Sequence, residues 1–180
     1  MDIGLVSGVV IVRPAAGPAF RLGAQDRNIP VGSEIDARRG EVDLRAARPP
    51  TSANRVLQDG QFSGGLFTVL QRVSQQGLTE LDLVTAQNRS VVCGTGGPAT
   101  AAAGRLSTRV LALLRSTAHG HIRTRGRYGA ATVRGTNWEM VDRCDGTLFR
   151  VERGVVLVSD FRLHKTIALG AGQSYRARAA

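Results

Sequence analysis

Lysine is almost missing from this chain of 180 residues: Lys165 stands alone, and every other basic residue is arginine. The formal charge of +10 therefore reads first as the codon bias of a GC-rich genome. A dedicated basic face for carboxylates or phosphates is the second reading, since arginine suits bidentate contacts with either. Aromatic residues are also scarce, at 4% against 42% apolar residues overall. Any core must then be built mainly from Val, Leu, Ile and Ala. With 22 glycines, that composition favours short strands and many turns over long helices. The length fits one compact unit or two small ones.

No apolar run approaches the roughly 20 residues needed to span a bilayer as a helix. The opening Met1-Asp-Ile-Gly-Leu-Val-Ser-Gly-Val-Val-Ile-Val12 lacks the basic start and small-residue cleavage site of a signal peptide, and alternates like a strand. Catalytic motifs are missing too: there is no G-x-S-x-G, H-E-x-x-H or G-x-x-x-x-G-K-[ST]. Gly94, Gly96 and Gly97 lack the following lysine that a phosphate cradle would use. The acidic residues show no paired-carboxylate signature, so the chain is expected not to be an enzyme and to carry no cofactor.

Only two cysteines occur, Cys93 and Cys144, at a spacing that fits no zinc or redox motif. Three readings compete: an intrachain disulfide, two buried free thiols, or half of an intermolecular link. Each cysteine follows a strand-like run and abuts a turn, Cys93-Gly-Thr-Gly-Gly and Cys144-Asp-Gly, which favours a staple between strand ends. A bridge would place the protein outside the cytoplasm, as a mature or excised chain without its leader.

Alternation and turn residues predict strands over Gly8 to Val12, Phe20 to Leu22, Glu34 to Ala46, Arg55 to Gln58, Leu66 to Leu70 and Leu78 to Val84. Pro49 to Asn54 reads as a polar loop, and the stretch 94–106 as a low-complexity linker. Ser107 to Leu114 is ambiguous: Val110, Leu111, Leu113 and Leu114 fit an amphipathic helix with Ser107 as its N-cap.

The two halves of the chain rhyme. Gly40-Glu-Val-Asp-Leu-Arg45 matches Gly129-Ala-Ala-Thr-Val-Arg134, and Gly64-Gly-Leu-Phe-Thr-Val69 matches Gly146-Thr-Leu-Phe-Arg-Val151, in the same order. A duplication is expected, with one β unit over 1–92, a linker or hairpin excursion over 93–118, and a second β unit over 119–180, packed together.

The densest basic cluster is Arg123, Arg125, Arg127 and Arg134, with Tyr128 beside it. On an extended strand the first three share a face. They form the candidate site for an anionic partner, either a protein or an acidic surface polymer. Nucleic acid ranks lower, because a single-strand groove needs several stacking aromatics. His119-x-His121 with His164 is a weak metal constellation against the bland reading of a solvated turn. Glu139, Asp142 and Glu152 are expected to partner arginines across strand faces.

The last third of the chain carries a resemblance. Tyr128-Gly-Ala-Ala-Thr-Val-Arg-Gly-Thr136, Cys144-Asp-Gly-Thr-Leu-Phe-Arg-Val151, Gly154-Val-Val-Leu-Val158 and Leu169-Gly-Ala-Gly-Gln-Ser-Tyr175 together resemble the FecR-type domain, a β-rich module of bacterial envelope regulators and secreted or surface proteins. The similarity is strongest over 120–177. It implies an all-β sandwich or roll with Trp138 in the core, here built from two related repeats, and a hairpin through Ala118-His-Gly120 into Ile122-Arg-Thr124, which is favoured over the helix at Ser107 to Leu114. It also implies a non-catalytic role in protein or cell-surface contacts. Two alternatives stand beside it, a self-assembling surface or fibre subunit and an arginine-rich polyanion-binding module. Phe149, Val151, Val156, Val158, Ile167 and Leu169 fall on the core side of the alternating strands, and Gly135, Gly146 and Gly154 mark bulges and turns.

Overall fold

Period-two burial runs through several segments of the computed structural model, which describes residues 1–47, 57–71, 73–94, 106–133 and 135–179. The strands are β1 (Asp2–Arg13), β2 (Phe20–Arg21), β3 (Arg27–Asn28), β4 (Glu34–Ala47), β5 (Leu57–Ser63), β6 (Leu66–Gln71) and β7 (Thr79–Leu83). After them come the five-residue helix α1 (Arg89–Cys93), then β8 (Val110–His119), β9 (Ile122–Arg125), β10 (Gly129–Val133) and β11 (Thr136–Arg143). The chain closes with β12 (Gly146–Arg153), β13 (Val155–Asp160), β14 (Lys165–Gly170) and β15 (Ser174–Arg178). The fold is all-β, a nearly closed, barrel-like sheet.

The strand order is β14-β13-β10-β9-β7-β6-β4-β5-β8-β11-β12-β15, and it is produced by bending. β5 and β6 lie one after the other on the same edge of β4, separated by a kink at Gly64 and Gly65 where both exchange hydrogen bonds with Ala37. β8 and β9 are likewise successive arms of one bent strand, as are β10 and β11, β12 and β13, and β14 and β15. Glycines with positive φ stand at these corners: Gly120, Gly135, Gly154 and Gly172. At Gly154 the requirement is strict, because a Cβ would come within 2.9 Å of the Gly135 carbonyl oxygen and 2.7 Å of Thr136 Cγ2.

Each bend sends its two arms into different wings. One wing runs β5-β8-β11-β12-β15 and the other β6-β7-β9-β10-β13-β14. All neighbours are antiparallel except β7 and β9. The long β1 covers the far edge of β4, with β2 and β3 pairing its other side. Between the wings lies one core containing Phe62, Phe67, Leu81, Leu114, Ile122, Trp138 and Phe149, each at most 1% exposed. Each such side chain contributes about 1.5–3 kcal/mol by leaving water. Trp138 also spans the wings, since its Nε1 donates to Thr124 Oγ1 at 3.0 Å.

Several expectations need correction. The strand expected at Arg55 to Gln58 runs on through Gly60 to Ser63, and the glycine turn is confined to Gly64 and Gly65. Cys93 closes a helix, not a strand, with Asn88 Oδ1 capping it by accepting from the Ser90 amide at 3.1 Å. Residues 110–118 of the expected linker form the central strand β8. The Ala118-His119-Gly120 segment is a corner, not a hairpin: β8 pairs β5 and β11, while β9 pairs β7 and β10. The polar loop at 49–54 and most of the 94–106 linker fall outside the described residues. The rhyming segments occupy unlike places, because Leu66 follows a corner whereas Gly146 follows the tight β11–β12 turn. Their strands also have different partners, so the pairing lends the duplication no support.

Candidate functional site

At the end of the fold away from the corners, both wings present their turns. The β9–β10 turn (Gly126, Arg127, Tyr128) meets the start of β12 and the end of β11, and the β13–β14 turn lies beside it, with the Phe161 amide donating to the Tyr128 carbonyl at 3.1 Å. The anchor is Asp142. It points inward, 3% exposed, accepts from Thr147 Oγ1 at 2.5 Å and from the Arg127 amide at 3.1 Å. Thr147 Oγ1 in turn accepts from the Tyr128 amide at 3.0 Å. Gly126 is required here, because a Cβ would lie 2.6 Å from Asp142 Oδ1 and 2.8 Å from Thr147 Cγ2. Burial pushes the Asp142 carboxyl above the usual carboxylate range, and its hydrogen bonds from Thr147 and Arg127 only partly offset that.

A second anchor is the Cys93–Cys144 disulfide, with a Cα–Cα distance of 5.5 Å across a sequence separation of 51. It ties α1 to the β11–β12 turn. In the loop-entropy picture such a closure contributes about 4 kcal/mol. Arg89 of α1 reinforces it by donating from Nη2 to the Cys144 carbonyl at 2.9 Å, and its guanidinium lies 5.5 Å from the Tyr128 ring centroid.

These anchors hold a rim of cations. Arg125 lies 4.9 Å from the Phe161 ring centroid and Arg127 5.9 Å from that of Tyr128. Arg109, at the foot of β8, shares backbone and side-chain hydrogen bonds with Cys144 and Val92. Arg162 belongs to the β13–β14 turn, Lys165 opens β14, and Arg178 ends β15. Apart from the half-buried Arg89, these residues are exposed. Among the described residues none of them forms a salt bridge with a carboxylate.

The carboxylates nearby are committed elsewhere. Asp145 is shared by Arg143, at 2.7 Å, and Arg176. Burial opposes its ionisation, but the two guanidinium groups outweigh that and hold it below its usual range. Asp160 accepts from the Leu163 amide at 2.9 Å and from the Tyr175 hydroxyl at 2.8 Å. Here too burial is overcome, and the carboxyl sits below its ordinary value. Asp82 is level with Arg125 in the β7–β9 pairing, yet Arg125 turns its guanidinium onto Phe161.

The predicted cluster is therefore divided. Arg123 leaves it, because its Nη1 lies 3.2 Å from Glu80 and its Nε donates to Thr132. Arg125 and Arg127 remain, but Arg127 stands in the turn and not on the strand face. Arg134 falls outside the described residues. Arg89, Arg109, Arg162 and Arg178 escaped sequence reasoning, since only the folded chain gathers them. Of the expected face pairs, Glu139 does bridge Arg115 and Arg150, whereas Asp142 points inward. His119 stands at a corner beside Asp59, at 3.9 Å, and His164 at the rim. No group of three metal-ligating side chains occurs among the described residues, and none of their helices is long and apolar enough to cross a membrane.

Chemically, Arg89, Arg125 and Arg127 set guanidinium groups against aromatic rings, and guanidinium donors match the geometry of planar or multivalent anions. No protein family, curated protein or solved structure matches the chain.

Proposed function

We propose that this chain is a non-catalytic binding module that works outside the cytoplasm and grips an anionic partner with its arginine rim. The observation that carries the reading is a set of exposed cations, Arg109, Arg125, Arg127, Lys165 and Arg178, that form no salt bridge among the described residues, beside acids committed to backbone amides, the Tyr175 hydroxyl or other arginines. The disulfide supports the compartment, because such bridges persist in oxidising surroundings. The FecR-type resemblance supports the class of role by analogy of fold alone. Retention on heparin is the test. Arg125→Ala with Arg127→Ala should weaken retention and reduce its salt dependence, while Arg38→Ala with Arg150→Ala should leave both unchanged. Equal retention for the two pairs would refute the rim.

Self-assembly remains the second reading, favoured by one observation. β14 is an open edge of the sheet, and the outward face of its neighbour β13 exposes Val155 and Leu157 at 56% and 47%. Light scattering that shows only monomer across a wide concentration range would remove it.

A further inference from the structure

The other open edge is β15, and it belongs to the rim. Among the described residues its only sheet partner is β12, in the register Gly146 to Arg178 and Phe149 to Tyr175. The Ala179 amide donates to the Asp145 carbonyl, and the Val151 amide to the Gln173 carbonyl. In an antiparallel ladder this parity turns the backbone groups of the odd-numbered residues toward β12. Those of Ser174, Arg176 and Arg178 then face the free edge. Side chains alternate in the other sense: Ala177 is fully buried and Tyr175 half-buried, whereas Ser174, Arg176 and Arg178 are exposed.

Two shallow grooves flank this edge. One, of about 430 Å³, is lined by Asp160, Arg162, Leu163 and Tyr175, and the other, of about 570 Å³, by Leu106, Thr108 and Asp145; Arg176 and Arg178 border both, and each acid is already engaged, Asp160 by Tyr175 and Asp145 by Arg143 and Arg176. We propose that β15 is a strand-addition site for an extended acidic peptide whose carboxylates recur at every second residue. Backbone hydrogen bonds to Ser174, Arg176 and Arg178 would supply affinity. Alternate carboxylates would supply selection, one opposite Arg178 with Arg162 alongside and one opposite Arg176, where it competes with Asp145. The β15 of a second copy is the wrong occupant, because antiparallel pairing centred on Arg176 sets Arg176 opposite Arg176.

The proposal rests on the rim's preference for anions and adds the mode of engagement. A fluorescent peptide of roughly six residues, the usual strand length, alternating Glu with Thr and Val, should bind by anisotropy. It should also shift and protect the Arg176 and Arg178 amides in NMR spectra. Methylating the peptide nitrogens that face β15 should weaken binding by at least about tenfold at unchanged charge, and so should Arg178→Glu. Thermal unfolding checks that this variant remains folded. Equal affinity for the N-methylated peptide, or for one with the same residues in two blocks, would overturn strand addition. If heparin retention still depends on Arg125 and Arg127 in that case, the anionic reading survives; if it does not, both fail.

Discussion

The β1–β4 ribbon and the rim use the same residue types to opposite effect. In the ribbon, arginines and acids meet on the outer faces: Arg13 pairs Glu34 at 2.8 Å, Arg38 pairs Asp36, and Arg45 pairs Asp26 and Asp43. At the rim the acids turn inward or double up on Arg143 and Arg176, and Arg109, Arg125, Arg127 and Arg178 form no salt bridge among the described residues. The difference teaches that an excess of +10 says little until the location of the carboxylates is known. The ribbon pairs three of the four arginines of β1 and β4, leaving Arg39 exposed without a salt bridge among the described residues, whereas the rim gathers several such cations at one end.

The largest break in this contrast comes from the disulfide. Cys93→Ala with Cys144→Ala should cost about 4 kcal/mol in denaturant unfolding. Hydrogen exchange should show the Arg127 and Tyr128 amides losing protection before those of β1 and β4, and simultaneous loss in both regions would contradict the rim's dependence on the bridge. Next comes Asp142→Ala, which strands the Thr147 hydroxyl and the Arg127 amide and should cost about 1–3 kcal/mol, with heparin retention falling in step.

Asp142→Asn sharpens the comparison through pH. The folded-state pKa of Asp142 is raised above the value of 3.8 that the free group would have. The stability this contributes is fully present below that value and is lost as pH rises through the folded-state pKa. The variant lacks this loss, so its stability relative to the parent should climb from about pH 4 upward; a flat difference would remove the assignment. Asp36, Asp145 and Asp160 are lowered and act in the reverse sense. Their contribution holds above 3.8 and disappears as pH falls through their folded-state values. Smallest of all, Arg150→Ala removes one exposed partner of Glu139 and should change stability by only about 0.2–1 kcal/mol.

Much of the strand content was legible because burial alternates residue by residue along one chain segment, as in β12, where Phe149 and Val151 are buried and Arg150 is exposed. The cysteine pairing was favoured for a partly mistaken reason, since Cys93 lies in a short helix. Gly120 illustrates what sequence could not resolve: a glycine with positive φ serves a hairpin or a corner equally well, and only the partners of the two arms decide. Arg123 was placed in the site because its neighbours in sequence are arginines. Glu80, far away in sequence, removes it.

The sequence by itself determined an all-β fold, some of the glycine positions where the chain turns, such as Gly135 and Gly154, and an arginine-rich charge with one pair of cysteines, because alternation, glycine conformation and composition are local properties. The tertiary structure decided that the bends fold one sheet into two wings, that Asp142 is spent on holding a turn, and which arginines remain without acids. Those outcomes depend on contacts between residues distant in the chain, where burial and hydrogen bonding select partners that no local pattern encodes.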